Sequence, residues 1–293
     1  MSTFILLTIT GFGLGAMYFL VASGLSLIYG LMGVLNFAHG SFLAVGAYAM
    51  WFTESHLGGV AVLPRFLLGS LVGLVAGGLF AALVELVLIR PLYKRHIEQV
   101  LVTVGLSLAA TALIVAIWGN DARGVPAPPW LGNTTSVLGA SIPNDRFVEI
   151  VTAIVVLAAL NAFLRYTRYG LIIRAGVENR AMVTALGIDV RRAFTLVFAI
   201  GGVAAAIAGV LSNVYFGTVD PSRGTSLLIF AFIVVVIGGV GSLRGTAVAA
   251  VVVGLVQQYA NYYASSGLGD LSVVLLLGIV LLVRPRGLSG SFA

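Results

Sequence analysis

Apolar residues run along this chain in long blocks, at roughly 4–22, 24–35, 41–53, 66–89, 100–118, 147–164, 193–215, 226–241, 246–263 and 271–283. A helix of about 20 apolar residues spans the hydrocarbon core, because lipid offers the backbone no partner but itself. Blocks 24–35, 41–53 and 271–283, of about 12 or 13 residues, are too short to span alone. The first two blocks are therefore one long helix kinked near Gly24, or a span followed by a half-span. A polar break, Asn36-Phe37-Ala38-His39-Gly40, follows before the apolar pattern resumes. The pattern predicts an all-α, polytopic membrane helix bundle of about 8–9 crossings, with 1–293 as one transmembrane domain. Interval 119–146 carries Pro126, Pro128, Pro129 and Pro143 among Gly, Asn and Ser, which predicts a loop without a helix of its own.

One polar interval is different in kind. Arg165, Arg168, Arg174, Glu178, Asn179, Arg180, Asp189, Arg191 and Arg192 lie between two spans. Among them Ala175, Val177, Ala181, Met182, Ala185 and Leu186 recur with helical spacing, and Gly187 supplies a stop. The spacing predicts a short amphipathic helix over 174–188, a surface on which another protein can push. The plainer reading is that these arginines only set orientation.

Orientation follows from the basic residues. Placing 89–98, 165–192 and the tail after 283 on one side leaves only Arg65, Arg123, Arg146 and Arg223 opposite. Glu54, Asp121, Asp145, Glu149, Asp220 and Asp270 stand with those four. The arginine-rich side is then cytoplasmic and the first segment starts outside.

Composition sharpens this picture. The chain is 60% hydrophobic and 9% charged, with mean hydropathy +1.10, which leaves no room for a separate soluble domain. It has no cysteine, hence neither disulfides nor a cysteine metal site. The net charge of +6 resides in short loops, so it points to membrane orientation and not to nucleic acid. Met1 to Leu7 lack the basic region of a cleavable signal, and the first block is expected to be retained. Gly69, Gly73 and Gly77 lie four apart, as do Gly201, Ala205 and Gly209, the spacing that lets helix backbones approach closely in lipid. The string Gly30-Leu31-Met32-Gly33-Val34-Leu35 is faintly echoed by Gly238-Gly239-Val240-Gly241-Ser242-Leu243, and internal repeats are common in transporters.

Missing chemistry narrows the function. The single lysine, Lys94, is followed by Arg95, which excludes a GxxxxGK[ST] phosphate loop. His39, His56 and His96 lack metal-site spacing. Gly287-Leu288-Ser289-Gly290 resembles an intramembrane protease motif but follows the last span with no histidine after it. Gly11, Gly13 and Gly15 lie in a membrane helix with no preceding strand, so packing explains them better than a dinucleotide. Glu85 is the one carboxylate expected within a span, close to Arg90, which gives little basis for ion coupling. Neutral polar groups are more frequent. Gln257 and Asn261 share a helix face from which Gln258 diverges; Asn213, Asn36 and Ser41 lie in or beside other spans. They form either helix-to-helix hydrogen bonds or a translocation path for a small polar or zwitterionic solute.

Three strings then resemble a known family: Gly24-Leu25-Ser26-Leu27-Ile28-Tyr29-Gly30-Leu31-Met32-Gly33-Val34-Leu35-Asn36-Phe37-Ala38-His39-Gly40-Ser41-Phe42; Arg174-Ala175, Glu178-Asn179 and Ala185-Leu186-Gly187-Ile188; and Ile237-Gly238-Gly239-Val240-Gly241-Ser242-Leu243-Arg244-Gly245. Together they are similar to the branched-chain amino acid ABC permeases of LivH type, over nearly the whole chain. The resemblance implies the ABC importer permease fold and a bacterial inner-membrane importer of Leu, Ile and Val. It implies a second permease subunit of LivM type, two ATP-binding subunits carrying ATP and Mg, and a periplasmic substrate-binding protein. This chain would itself hold no cofactor and catalyse no reaction. Segment 174–188 would be the coupling helix, with polar contacts from Arg174, Glu178, Asn179 and Arg180 and apolar ones from Ala181, Ala185 and Leu186, stopped by Gly187. Glu178 and Gly187 keep the spacing of the general ABC permease motif, but Asn179-Arg180 replace its Ala pair. Urea or short amides are alternative substrates within the family. An ATP-independent channel or carrier is the alternative outside it.

Overall fold

Block 4–22 and residues 24–32 of the next block form a single helix, α1 (Ser2–Met32), of 31 residues. At 1.5 Å per residue it is about 46 Å long, and no break occurs at Gly24. The structure is a computed structural model that describes residues 2–33, 35–93, 95–178, 180–185, 187, 189–265 and 267–289. The polar break narrows to a turn in which Asn36 Oδ1 accepts from the Ala38 N–H (3.0 Å), and His39 already begins α2 (His39–His56). After α2 comes α3 (Val62–Val84), which continues through a π turn, Glu85–Ile89, and a 3₁₀ turn, Arg90–Leu92. Pro91 has no N–H and its ring crowds the carbonyl of Val87, which accounts for the widened end.

α4 (His96–Trp118) leads to the loop expected to be irregular. That expectation is corrected. The loop holds β1 (Arg123–Gly124), a one-turn helix α5 (Pro129–Gly132), β2 (Thr134–Val137) and β3 (Ala140–Pro143). Proline at the first helical position tolerates its missing N–H, so Pro129 starts a turn rather than preventing one. Strands β2 and β3 pair antiparallel with Thr135 opposite Ile142.

α6 (Asn144–Tyr166) begins earlier than its apolar block and draws Asp145 and Arg146 into the helix. Within the segment expected as an amphipathic helix over 174–188, the described residues form α7 (Arg168–Glu178) and α8 (Arg180–Ala185). Thr167 Oγ1 accepts from the Gly170 N–H (2.9 Å) and caps α7. α9 (Val190–Phe216) is capped by Asp189 and ends at Gly217 in the left-handed region, φ +68°. β4 (Thr218–Val219) pairs with β1. α10 (Arg223–Gly238), α11 (Leu243–Tyr263) and α12 (Leu268–Val283) complete the bundle.

Among the described residues, five helices are long and apolar enough to cross a membrane, or six if α10 and α11, bent by 119°, count as one span. The 8–9 crossings expected from the pattern are therefore not reached on length and apolarity. α2 carries polar residues at both ends, and α12 has only 16 residues. The chain remains a multi-pass membrane protein.

Backbone contact between small residues holds the bundle. A methyl at Gly15 would stand 2.7 Å from the Ala250 carbonyl oxygen, and one at Gly30 2.5 Å from the Gly241 Cα, so α1 and α11 lie antiparallel along their length. The two echoed glycine strings thus meet each other, and close approach is reason enough for their likeness. Gly73 of α3 faces Gly46 of α2, and Gly77 faces Ala206 of α9. The core lies where α1, α2, α9, α10 and α11 cross, with Leu20, Phe42, Phe198 and Val234 fully buried. α4 is peripheral and turns Ile97 (79% exposed) and Leu108 outward. Gly105 of α4 faces open space. Gly105→Ala is expected to stabilise by about 1 kcal/mol through helix propensity, read as a higher Tm of the solubilised protein; a lower Tm would place a neighbour against that face.

Candidate functional site: a charged cavity and the corner at α7 and α8

Two arrangements, at opposite ends of the bundle, gather the polar residues. The first is a cavity of about 420 Å³ between α1, α10, α11 and the start of α12. Its floor is a hydrogen-bonded chain: Tyr18 donates to Gln257 Oε1 (2.7 Å), and Gln257 Nε2 donates to Asp270 Oδ1 (2.7 Å). Leu14, Met17 and Leu227 form an apolar wall beside Phe230, which stacks on Tyr18 (5.1 Å between ring centres). Asp220 and Arg223 line the mouth. Asp220 Oδ1 accepts from the Ser222 N–H (2.7 Å) and hydroxyl (2.6 Å). Arg223 lies 3.7 Å from the centre of the Phe216 ring and makes one long hydrogen bond, to Thr218 Oγ1 (3.4 Å). The neighbouring Arg146 is compensated by Asp145 (2.8 Å) and Glu149 (3.7 Å) and sits over Tyr215.

Of the five residues expected on a translocation path, the structure brings two to this cavity, Gln257 and Asn261. Gln258, expected to diverge, lines it as well. Asn261 also holds the turn into α12, accepting from the N–H groups of Gly267 (3.3 Å) and Gly269 (3.0 Å). The other three lie elsewhere. Asn213 Nδ2 donates to the Ala47 carbonyl (3.0 Å), which ties α9 to α2. Asn36 shapes the turn before α2, and Ser41 is buried within α2. Tyr18, Asp220, Arg223 and Asp270 were not singled out by sequence. Their signal is weak: charges at the ends of spans, indistinguishable from topology markers until the helices are assembled.

The second arrangement is the corner where the end of α3 meets the start of α9. Glu85 is fully buried, and its carboxylate collects three donors. Thr195 Oγ1 donates to Oε2 (2.6 Å), Arg90 Nε to Oε1 (3.4 Å), and the Tyr93 hydroxyl also to Oε1. Arg90 donates further to Thr195 (2.8 Å). The end of α3 is thus clamped to the start of α9. Glu85 is not the only carboxylate in a span, however, since Glu149 of α6 is also buried. Beside the clamp, Val183 of α8 packs with Val190 and Phe194 of α9, and Phe194 meets the Tyr93 ring edge-on (5.7 Å). Ile173 seats α7 in the main core.

Of the expected coupling residues, Arg174, Ala185 and Gly187 are exposed, as is Met182 (62%). Gly187 adopts φ +78°, in the left-handed region that favours glycine. Glu178 ends α7, and Arg180 and Ala181 begin α8. Asn179 and Leu186, with Ile188 of the same motif, lie outside the described residues. Val183, which anchors α8, was missed. Among the described residues no group of three or more His, Cys, Asp or Glu is placed to hold a metal ion.

Comparisons with known proteins bring the chain together with transport permeases. The high-affinity branched-chain amino acid transport system permease protein LivH of Escherichia coli K12 is 29% identical over 287 residues, 96% of this chain and 93% of its own. The corresponding protein BraD of Pseudomonas aeruginosa is 27% identical, covering 96% of this chain and 94% of its own. The fructose import permease protein FruF of Bifidobacterium longum is 29% identical over 83% of this chain and 67% of its own. No solved structure matches. The branched-chain amino acid transport system / permease component family is matched by residues 7–284, and the chain belongs to that family.

Proposed function

We propose that this chain is a permease subunit of an ATP-driven importer in a bacterial inner membrane, and that it translocates branched-chain amino acids. Its partners would be a second permease of LivM type, two ATP-binding subunits that hold ATP and Mg, and a periplasmic substrate-binding protein. The observation that carries this reading is the likeness to LivH along almost the full length of both chains. The corner formed by α7 and α8 supports it: Ile173 and Val183 seat these helices on the chain's own core, while Arg174, Met182 and Ala185 face outward. In this reading closure of the ATPase dimer pushes the corner, and the bundle alternates between outward and inward openings.

The test is uptake into proteoliposomes that contain this chain with its neighbouring permease and ATPase subunits, with ATP inside and the binding protein outside. Labelled leucine is expected to enter only when both are present. Uptake of urea or fructose in place of leucine would change the substrate, and flux without ATP would replace the importer by a channel. Arg174→Glu is expected to abolish ATP-driven uptake at unchanged membrane abundance, measured by immunoblot. Normal uptake by that variant would remove α7 from the coupling surface.

A further inference from the structure

We infer that the cavity between α1, α10, α11 and α12 is a subsite for a small zwitterion with an apolar side chain, an inference that rests on the import reading above. The charges there are of both signs. Among the described residues Asp220 attracts Arg223 without closing to a salt bridge, and Asp270 accepts from the neutral Gln257. Arg146, by contrast, already has two carboxylates. The Arg223 guanidinium lies over the Phe216 ring and donates one N–H to Thr218, and its remaining N–H groups can meet a carboxylate. The carboxylates of Asp220 and Asp270 take the ammonium group. Leu14, Met17 and Phe230 offer the apolar wall that an aliphatic side chain needs. At about 420 Å³ the space falls within the roughly 300–1,000 Å³ of small-molecule pockets. A neutral sugar or urea would leave these charges unanswered.

The chain has no cysteine, so one introduced thiol is the chain's sole label site. Ser226→Cys and, separately, Gln258→Cys place it on the cavity wall of the assembled importer. Leucine is expected to slow maleimide labelling of either thiol, whereas leucinamide, urea and fructose are not. Adding Arg223→Gln or Asp270→Asn should raise the leucine needed for half-protection roughly tenfold or more, the effect of losing a charged hydrogen bond. Equal protection by leucinamide, urea or fructose overturns the zwitterion class. Absence of protection by leucine in variants that still import it overturns the site and spares the import reading. An unsubstituted importer that takes up no leucine removes the import reading itself.

Discussion

Glu85→Ala is expected to destabilise the protein by about 3 kcal/mol and to abolish uptake. Removing a fully buried carboxylate leaves Arg90, Tyr93 and Thr195 without their shared acceptor at the junction of α3 and α9. The Arg90 side chain is 32% exposed and can recruit water, which keeps the cost near the lower end for a broken buried pair. The Tm of the solubilised protein measures the first effect. The second is sharper in Tyr93→Phe, which keeps the edge-on contact with Phe194 and removes only the hydroxyl. If the clamp carries force from α8 into α3, Tyr93→Phe loses uptake while the assembled importer still hydrolyses ATP. A fall in both together would make the clamp merely structural.

Gly254→Ala is expected to cost about 1–3 kcal/mol through overpacking, and Gly254→Leu to prevent assembly of the bundle. A Cβ on Gly254 would lie 2.5 Å from the Gly11 carbonyl oxygen and against the Gly15 backbone. Backbone cannot swing aside as a flexible side chain can, so α1 and α11 would have to separate. Membrane abundance and protease resistance of the two variants are the measurements. Resistance equal to the unsubstituted protein in Gly254→Leu would mean that the two helices do not cross so closely. Gly105, in open space on α4, is the control within the same chain.

Much of the fold was legible because lipid makes periodicity and length decisive. The runs that became α3, α4, α6 and α9 stand out as blocks of apolar residues, and the stripe Gly69, Gly73, Gly77 foretold a close crossing that α2 and α9 supply. What escaped were features set by partners distant in sequence. A kink at Gly24 was open from the sequence because glycine weakens a helix; the Gly201 carbonyl and the His39 ring against it instead demand a residue without a side chain. The site was less legible. Arg223 and Asp270 resemble orienting charges, and only the crossing of α10, α11 and α12 places them in one cavity. Glu85 stood out as an intramembrane carboxylate, but Thr195, over a hundred positions away, gives no local sign of being its donor.

The antiparallel pairing of α1 with α11 also bears on how the molecule is made. α1 leaves the ribosome well before α11, one of its principal neighbours, and the 288–289 amides seal the α10–α11 bend through the Ile237 and Gly238 carbonyls. At roughly 5–20 residues per second, α1 waits roughly 10–50 s for α11 to be synthesised. Through that interval its glycine face meets lipid, and insertion and folding are separated in time. A nascent chain stalled before residue 243 would therefore be inserted but open along α1, a state in which quality-control proteases can tell it from the finished permease.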